Sequence, residues 1–235
     1  WKSPIGKLTF GMQGMNIFNV TEKTWGFRFL QKSAMDKYKF SSSADIGVAY
    51  SGKMNNLNYS IMYTNGSGYK ITEYDEYKKT SIQLVYGEKK LVKNDGFNIG
   101  ASFSIEPKDM HTVSGDGEID LSLEPSKRNR TLMAFFGGYA GHGLRIGGEF
   151  DIYAFDTPAY DDSEDFIMVT QQIMAAYASY RLSDKIEGLI YVDMYDPNTS
   201  TGNDGNTDMI IGFNYKPEKG LTMTPNIRIS TPEEG

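Results

Sequence analysis

The chain has 235 residues, 39% hydrophobic and 13% aromatic, with 25 Gly, no Cys and a formal net charge of −6. A cysteine-free chain has no disulfide framework and no thiolate metal site, and an acidic one lacks the basic surface that a general nucleic-acid binder needs. The absence of a long apolar run excludes a transmembrane helix, yet a spanning β-barrel stays open, because its strands need only ~9–11 alternating residues each.

The first strand covers residues 7–13, with Leu8, Phe10 and Met12 on one face. Residues 15–41 follow without alternation. The second strand, 43–52, puts Ala44, Ile46, Val48 and Tyr50 on the oily face and Asp45 opposite. After a short turn the third, 56–65, alternates Leu57, Tyr59, Ile61 and Tyr63. A polar loop leads to the fourth, 79–87, with Ile82, Leu84 and Tyr86. A charged turn leads to the fifth, 96–106, with Phe97, Ile99, Phe103 and Ile105. Residues 107–129 read as another long loop, and the sixth strand, 131–139, is apolar on both faces. A tight Gly turn enters the seventh, where Leu144, Ile146, Phe150 and Ile152 alternate with Arg145, Glu149 and Asp151. An acidic loop over 156–165 precedes the eighth, 166–181, whose faces the pattern does not assign. The ninth starts at Ile186 and carries Glu187 and Asp193 opposite its oily face. The tenth, 208–215, shows Met209, Ile211 and Phe213, and the eleventh, 221–230, carries Arg228.

The connections alternate long and short along the whole chain, the layout of an up-and-down antiparallel barrel with short turns at one end and long loops at the other. A Greek-key sandwich mixes its loop lengths, and a parallel sheet needs helical crossovers. The expectation is therefore an all-β antiparallel transmembrane barrel in one domain. The competing reading is a soluble β-sandwich that binds a carbohydrate or another ligand. Tyr50, Tyr86, Tyr139, Tyr180, Tyr195 and Tyr215 near strand ends suit headgroup girdles. In a barrel the opposite face meets lumen water, so Asp45, Arg145, Glu149, Asp151, Glu187, Asp193 and Arg228 are expected to line the pore. Counting Lys7 among the bases, acids outnumber bases on that face, which leans toward cations.

Two stretches carry a resemblance: Thr24-Trp25-Gly26-Phe27-Arg28-Phe29, and Ser42-Ser43-Ala44-Asp45-Ile46-Gly47-Val48. With Asn65-Gly66-Ser67-Gly68-Tyr69 and Tyr195-Asp196-Pro197-Asn198, they resemble bacterial outer-membrane porins of the general and phosphate-selective type. The resemblance implies passive diffusion of small hydrophilic solutes or ions, contact with the lipid bilayer and lipopolysaccharide, and a homotrimer. It also implies that residues 15–41 fold inward and narrow the pore, with Trp25, Phe27 and Phe29 as anchors and Arg28 as a charge at the constriction. The ladder of basic residues found in phosphate-selective relatives is missing. In porins of about sixteen strands the narrowing loop follows the fifth, so the eleven strands here are expected to be part of a barrel and to form an open arc. A start at Trp1 without Met or signal peptide fits a processed or truncated form.

No enzyme, cofactor or metal is expected. His111 and His142 have no spaced partners for a triad or a metal site. Asp161, Asp162, Glu164, Asp165 and the run from Asn203 to Asn206 offer oxygen ligands for Ca²⁺, but not at the spacing of a calcium loop.

Overall fold

The computed structural model describes residues 1, 6–70, 72, 76–111, 124–159 and 166–233. Eleven strands form one antiparallel sheet, and each strand pairs only with its neighbours in the chain. They are β1 (Lys7–Gly14), β2 (Ala44–Met54), β3 (Leu57–Thr64), β4 (Lys79–Gly87), β5 (Gly96–Met110) and β6 (Ser126–Gly141), then β7 (Leu144–Pro158), β8 (Phe166–Arg181), β9 (Ile186–Asp196), β10 (Asn206–Tyr215) and β11 (Asn226–Pro232). Two short helices, α1 (Thr21–Trp25) and α2 (Ala34–Lys37), lie between β1 and β2. A sandwich needs two sheets packed face to face, and the described residues form one. Within them β1 and β11 do not pair, so the sheet is open.

Several boundaries differ from the sequence pattern. The expected loop over 107–129 is strand at both ends: Pro107 pairs with Asn129 and Met110 with Ser126. Both faces of these strand extensions are polar, so period 2 carries no signal there. Pro107 is tolerated because β4 ends opposite Ile105, leaving no ladder bond for the missing N–H to make on that side. In the same way β7 runs on to Pro158, opposite Phe166. Asp161, Asp162, Glu164 and Asp165 lie outside the described residues. The last strand begins at Asn226 rather than Leu221. Pro225 cannot donate to a ladder, and its carbonyl instead accepts from the Phe213 N–H at 3.2 Å.

The outer face is a continuous apolar surface. Ile46, Ile61, Leu84, Ile99, Phe135 and Ile211 all project outward, Ile99 with 63% and Phe135 with 55% of its surface exposed. Leaving a large apolar side chain in water forgoes roughly 1.5–3 kcal/mol each, so a face of this extent suits hydrocarbon. The structure also assigns the faces of β8: Met174 and Tyr180 point out, and Ile173, Ala175, Tyr177 and Ser179 point in. Tyr195 turns inward instead of joining an outer girdle and stacks on Tyr38 at 4.0 Å between ring centroids.

The hydrophobic core lies inside the curve of the sheet, between its inner face and residues 15–41. Ile17, Phe18, Met35 and Phe40 pack on Leu132, Ala134, Ile173 and Ala175. This explains why β6 is apolar on both faces: one side meets the outer surroundings and the other meets the inward segment.

Candidate functional site

The inward segment begins as an extra layer on the polar inner wall. Asn16 donates to the Ser60 carbonyl at 3.2 Å and accepts from the Ser81 hydroxyl at 2.8 Å. The Ile17 carbonyl accepts from Gln83 at 3.2 Å and from Ser102 at 2.9 Å. Small polar residues on β3, β4 and β5 thus satisfy a segment that has no ladder partner of its own.

The segment starts at the long-loop end of β1 yet reaches the opposite end of the sheet. There the Val92 N–H, in the turn between β4 and β5, donates to the Lys23 carbonyl at 3.0 Å. The close approach of α1 depends on two facing glycines, Gly138 and Gly147. A Cβ at Gly138 would lie 2.6 Å from the Thr24 methyl, and one at Gly147 2.8 Å from it. Gly26 ends α1 with φ 79° and donates its N–H to the Glu22 carbonyl, a left-handed cap that turns the chain back.

Past that turn, aromatic rings hold the segment. Trp25 is 1% exposed, with centroids 5.0 Å from Phe27, 5.6 Å from Tyr177 and 4.9 Å from Tyr191. Its indole N–H donates to the Gln31 carbonyl at 2.8 Å. Arg228 holds the next bend, donating to the Leu30 carbonyl at 2.6 Å and to Gln31 at 3.0 Å. Helix α2 is then fixed by charge. Lys37 reaches Asp193 at 2.8 Å and Asp208 at 2.5 Å, and the Tyr38 hydroxyl donates to Asp193 at 2.6 Å. Burial, and then the bond to the Asp193 carboxylate, push the Tyr38 phenol well above its usual range. Near the turn end, burial and then the neighbouring Lys90 charge hold the Lys23 ammonium below its usual range.

The expected site residues divide into three groups. Trp25 and Phe27 anchor the segment, whereas Phe29 is 66% exposed and its ring meets only that of Phe27, edge-on at 6.1 Å, among the described ring contacts. Arg28 projects from the segment's free side and pairs with Glu22 and Asp36. Asp45, Glu149, Asp151 and Asp193 do face inward, but all four are buried and do not meet open water. Asp45 caps the loop after β3, accepting from the Gly66 N–H at 2.7 Å. Glu149 accepts from the Ala34 N–H at 3.3 Å, and beside it neither Asp151 oxygen has a hydrogen-bond partner. Glu187 and Arg145 pair at 3.3 Å, with the Arg145 guanidinium over the Phe27 ring. Arg228 bonds the segment and is itself exposed on the inner side of β11.

The count of lumen charges that favoured cations therefore does not describe the free surface. The groups left exposed on the segment are Arg28, Phe29, Lys32 and Lys39. Lys37, Tyr38, Asn16 and Asp208 carry the attachment and have no motif of their own. The inward register of Asp208 on β10 was the one available signal, and its partner Lys37 sits 171 positions away.

A single up-and-down antiparallel sheet, apolar outside and polar inside, with one segment folded onto its inner face, has the fold of an outer-membrane β-barrel. No protein-family model matches the chain, and no curated protein matches it. Solved structures do. "Outer-membrane expressed OmpT of Vibrio cholerae" superposes with a TM-score of 0.67 at 12% identity, over 97% of this chain and 67% of that one. "OmpT (in-vitro folded), an outer membrane protein of Vibrio cholerae" gives 0.54 at 14% identity, over 91% and 62%. A structure described as porin refined at 1.8 Å gives 0.55 at 10% identity, over 81% and 58%. The chain thus spans about three fifths to two thirds of the barrels it matches.

Proposed function

We propose that this chain supplies wall and constriction to a porin, a channel of the bacterial outer membrane through which small hydrophilic solutes and ions diffuse passively. The observation that carries the reading is the course of residues 15–41, which line the inner face of the sheet and leave Arg28, Phe29 and Lys32 pointing away from the wall. Such a segment narrows a lumen without chemistry, and pore diameter and lining charge then set what passes. The reading assigns no catalytic group, cofactor or metal. Its partners are the bilayer and lipopolysaccharide at the apolar outer face, and further copies of the chain in a trimer.

The test is conductance in planar bilayers. Deleting residues 15–40 is expected to raise the single-channel conductance several-fold, in line with a wider opening. Neutralising Arg28 in the intact protein is expected to shift the reversal potential toward cation preference, because Glu22 and Asp36 lose their counter-charge. Unchanged conductance in the deletion, with the barrel still formed, would remove the constriction from residues 15–41. Absence of any current in the intact, correctly inserted protein would remove the channel.

A further inference from the structure

The two ends of the sheet carry opposite charge. At the long-loop end, the connections over residues 65–78, 111–125, 159–165 and 197–205 hold twelve Asp and Glu against two Lys. The short turns at the other end are basic. Lys89, Lys90 and Lys93 follow β4 with Glu88 and Asp95, Lys185 follows β8 with Asp184, and Lys216 and Lys219 follow β10 with Glu218. Lys7, Lys53 and Arg181 add three exposed cations at the adjoining strand ends. The net charge of −6 thus conceals a basic rim.

The rim is most built between the turns after β8 and β10. The Lys216 N–H donates to the Lys185 carbonyl at 2.8 Å and holds the two turns side by side. The Ser183 hydroxyl accepts from the N–H groups of Lys185 at 3.3 Å and Ile186 at 3.1 Å, which fixes the first turn. Between them lies a cavity of ≈160 Å³ lined by the cations Arg181, Lys185 and Lys216 and the acids Asp184 and Glu187. Glu187 is engaged by Arg145 at 3.3 Å and by the Ser179 hydroxyl at 2.7 Å. Among the described residues Arg181, Lys185 and Lys216 form no ion pair, so three cations share the field of one remaining carboxylate, Asp184.

Beside this rim the outer face carries a belt of rings. Tyr86, Phe97, Tyr139 and Tyr180 are exposed, each within two residues of a strand end at the short turns. Aromatic rings at this place mark the level of lipid headgroups. Leu182, next to Arg181, is 66% exposed on its turn. Tyr180, Arg181 and Leu182 therefore present a ring, a charge and an apolar tip in succession, the composition of a surface that lies in a bilayer interface.

We propose that the short-turn rim binds the headgroup phosphates of anionic glycerophospholipids, with the cavity of Arg181, Lys185 and Lys216 as its principal site. Cations at a membrane surface attract anionic lipid within a screening length, and the aromatic belt sets these cations at that depth. The acidic loops repel the same headgroups from the opposite end. The inference goes beyond the channel reading and needs only that the sheet stands in a bilayer.

Native mass spectrometry of the purified full chain tests it, after equilibration in detergent with equal amounts of phosphatidylglycerol and phosphatidylcholine. The protein is expected to retain phosphatidylglycerol preferentially and to lose the preference at high ionic strength. Lys185→Gln and Lys216→Gln are each expected to weaken retention of phosphatidylglycerol about fivefold, and Lys185→Arg to preserve it. Lys70→Gln, at the long-loop end, is expected to change nothing. All three positions are exposed, and a band shift on heating checks that each variant is folded. Equal retention of the two lipids, or a preference that both turn variants keep intact, overturns the site. A preference that falls as far in Lys70→Gln also overturns it, because net charge alone would then set the selection.

Discussion

Thr24 explains the two glycines opposite it. Its methyl occupies the space that side chains at Gly138 and Gly147 would need, and Tyr177 also lies 2.6 Å from the Cβ position of Gly147. Gly147→Val is therefore expected to overpack the contact at a cost of about 1–3 kcal/mol. The cost falls on the seat of α1, so the variant should show larger and noisier single-channel currents in a barrel that still forms. Arginine at Gly147 is likewise no harmless inward substitution, although alternation alone places the position in lumen water. Tyr38 gives a pH dependence of definite sign. Its phenol is held protonated by burial and by Asp193, so its folded value lies above the unfolded one. The resulting stabilisation is complete below the ordinary tyrosine range and is lost as pH rises beyond it, when the unanchored phenol ionises first. Alkaline titration should thus release the segment, seen as a rise in conductance above pH ~10. Tyr38→Phe, which cannot ionise, should show no such rise at that pH.

At the scale of elements, the segment between β1 and β2 behaves as an inner layer and not as a loop. Loops of this length without a strand pattern are commonly functional, and this one is fixed by three kinds of contact in order. Its start exchanges hydrogen bonds with Ser60, Ser81 and Gln83, its turn is held by aromatic rings, and α2 is held by Lys37. In the aromatic part, Trp25 is the largest of the fully buried side chains among the described residues. Trp25→Ala is expected to destabilise the segment by about 3–5 kcal/mol. Limited proteolysis should then cut between α1 and α2 in the variant and not in the parent, while the strands stay protected. Equal protection in both would show that charge and backbone bonds hold the segment by themselves. The strands show the same dependence on surroundings. β5 to β7 extend past the region where one face is oily and one polar, and the extensions are recognisable only by their pairing.

For the whole molecule, the sidedness of the sheet is the main constraint. In lipid an unsatisfied backbone group costs several kcal/mol, so any assembly in which this chain conducts must pair the edges at β1 and β11. The outer face must also remain free of charge. Ile211→Arg places a guanidinium on it in the middle of β10, and the expected penalty is ~2–4 kcal/mol near the bilayer midplane. Thr9→Arg, on the inner face of β1, should cost well under half of that. Folding yields into vesicles of the two variants, measured side by side, check this, and equal losses would remove the assignment of the outer face to lipid.

The order and number of the strands, and the outer face of all but β6 and β8, were legible in the sequence, because a strand with two different environments must alternate with period 2. The inward course of residues 15–41 was legible only through resemblance, from Trp25 and its neighbours. Tertiary structure decided the rest. It moved Tyr195 from the outer girdle to Tyr38, set Asp45 against the loop after β3, and buried Glu149, Asp151 and Asp193 behind the segment instead of in open water. It also joined Lys37 to Asp193 and Asp208, and Glu106 to Lys79 and Lys108. The physical reason is the same in each case. Alternation reports which side of a sheet a residue faces, but what covers that side depends on a segment far away in sequence, and a local pattern carries no information about it.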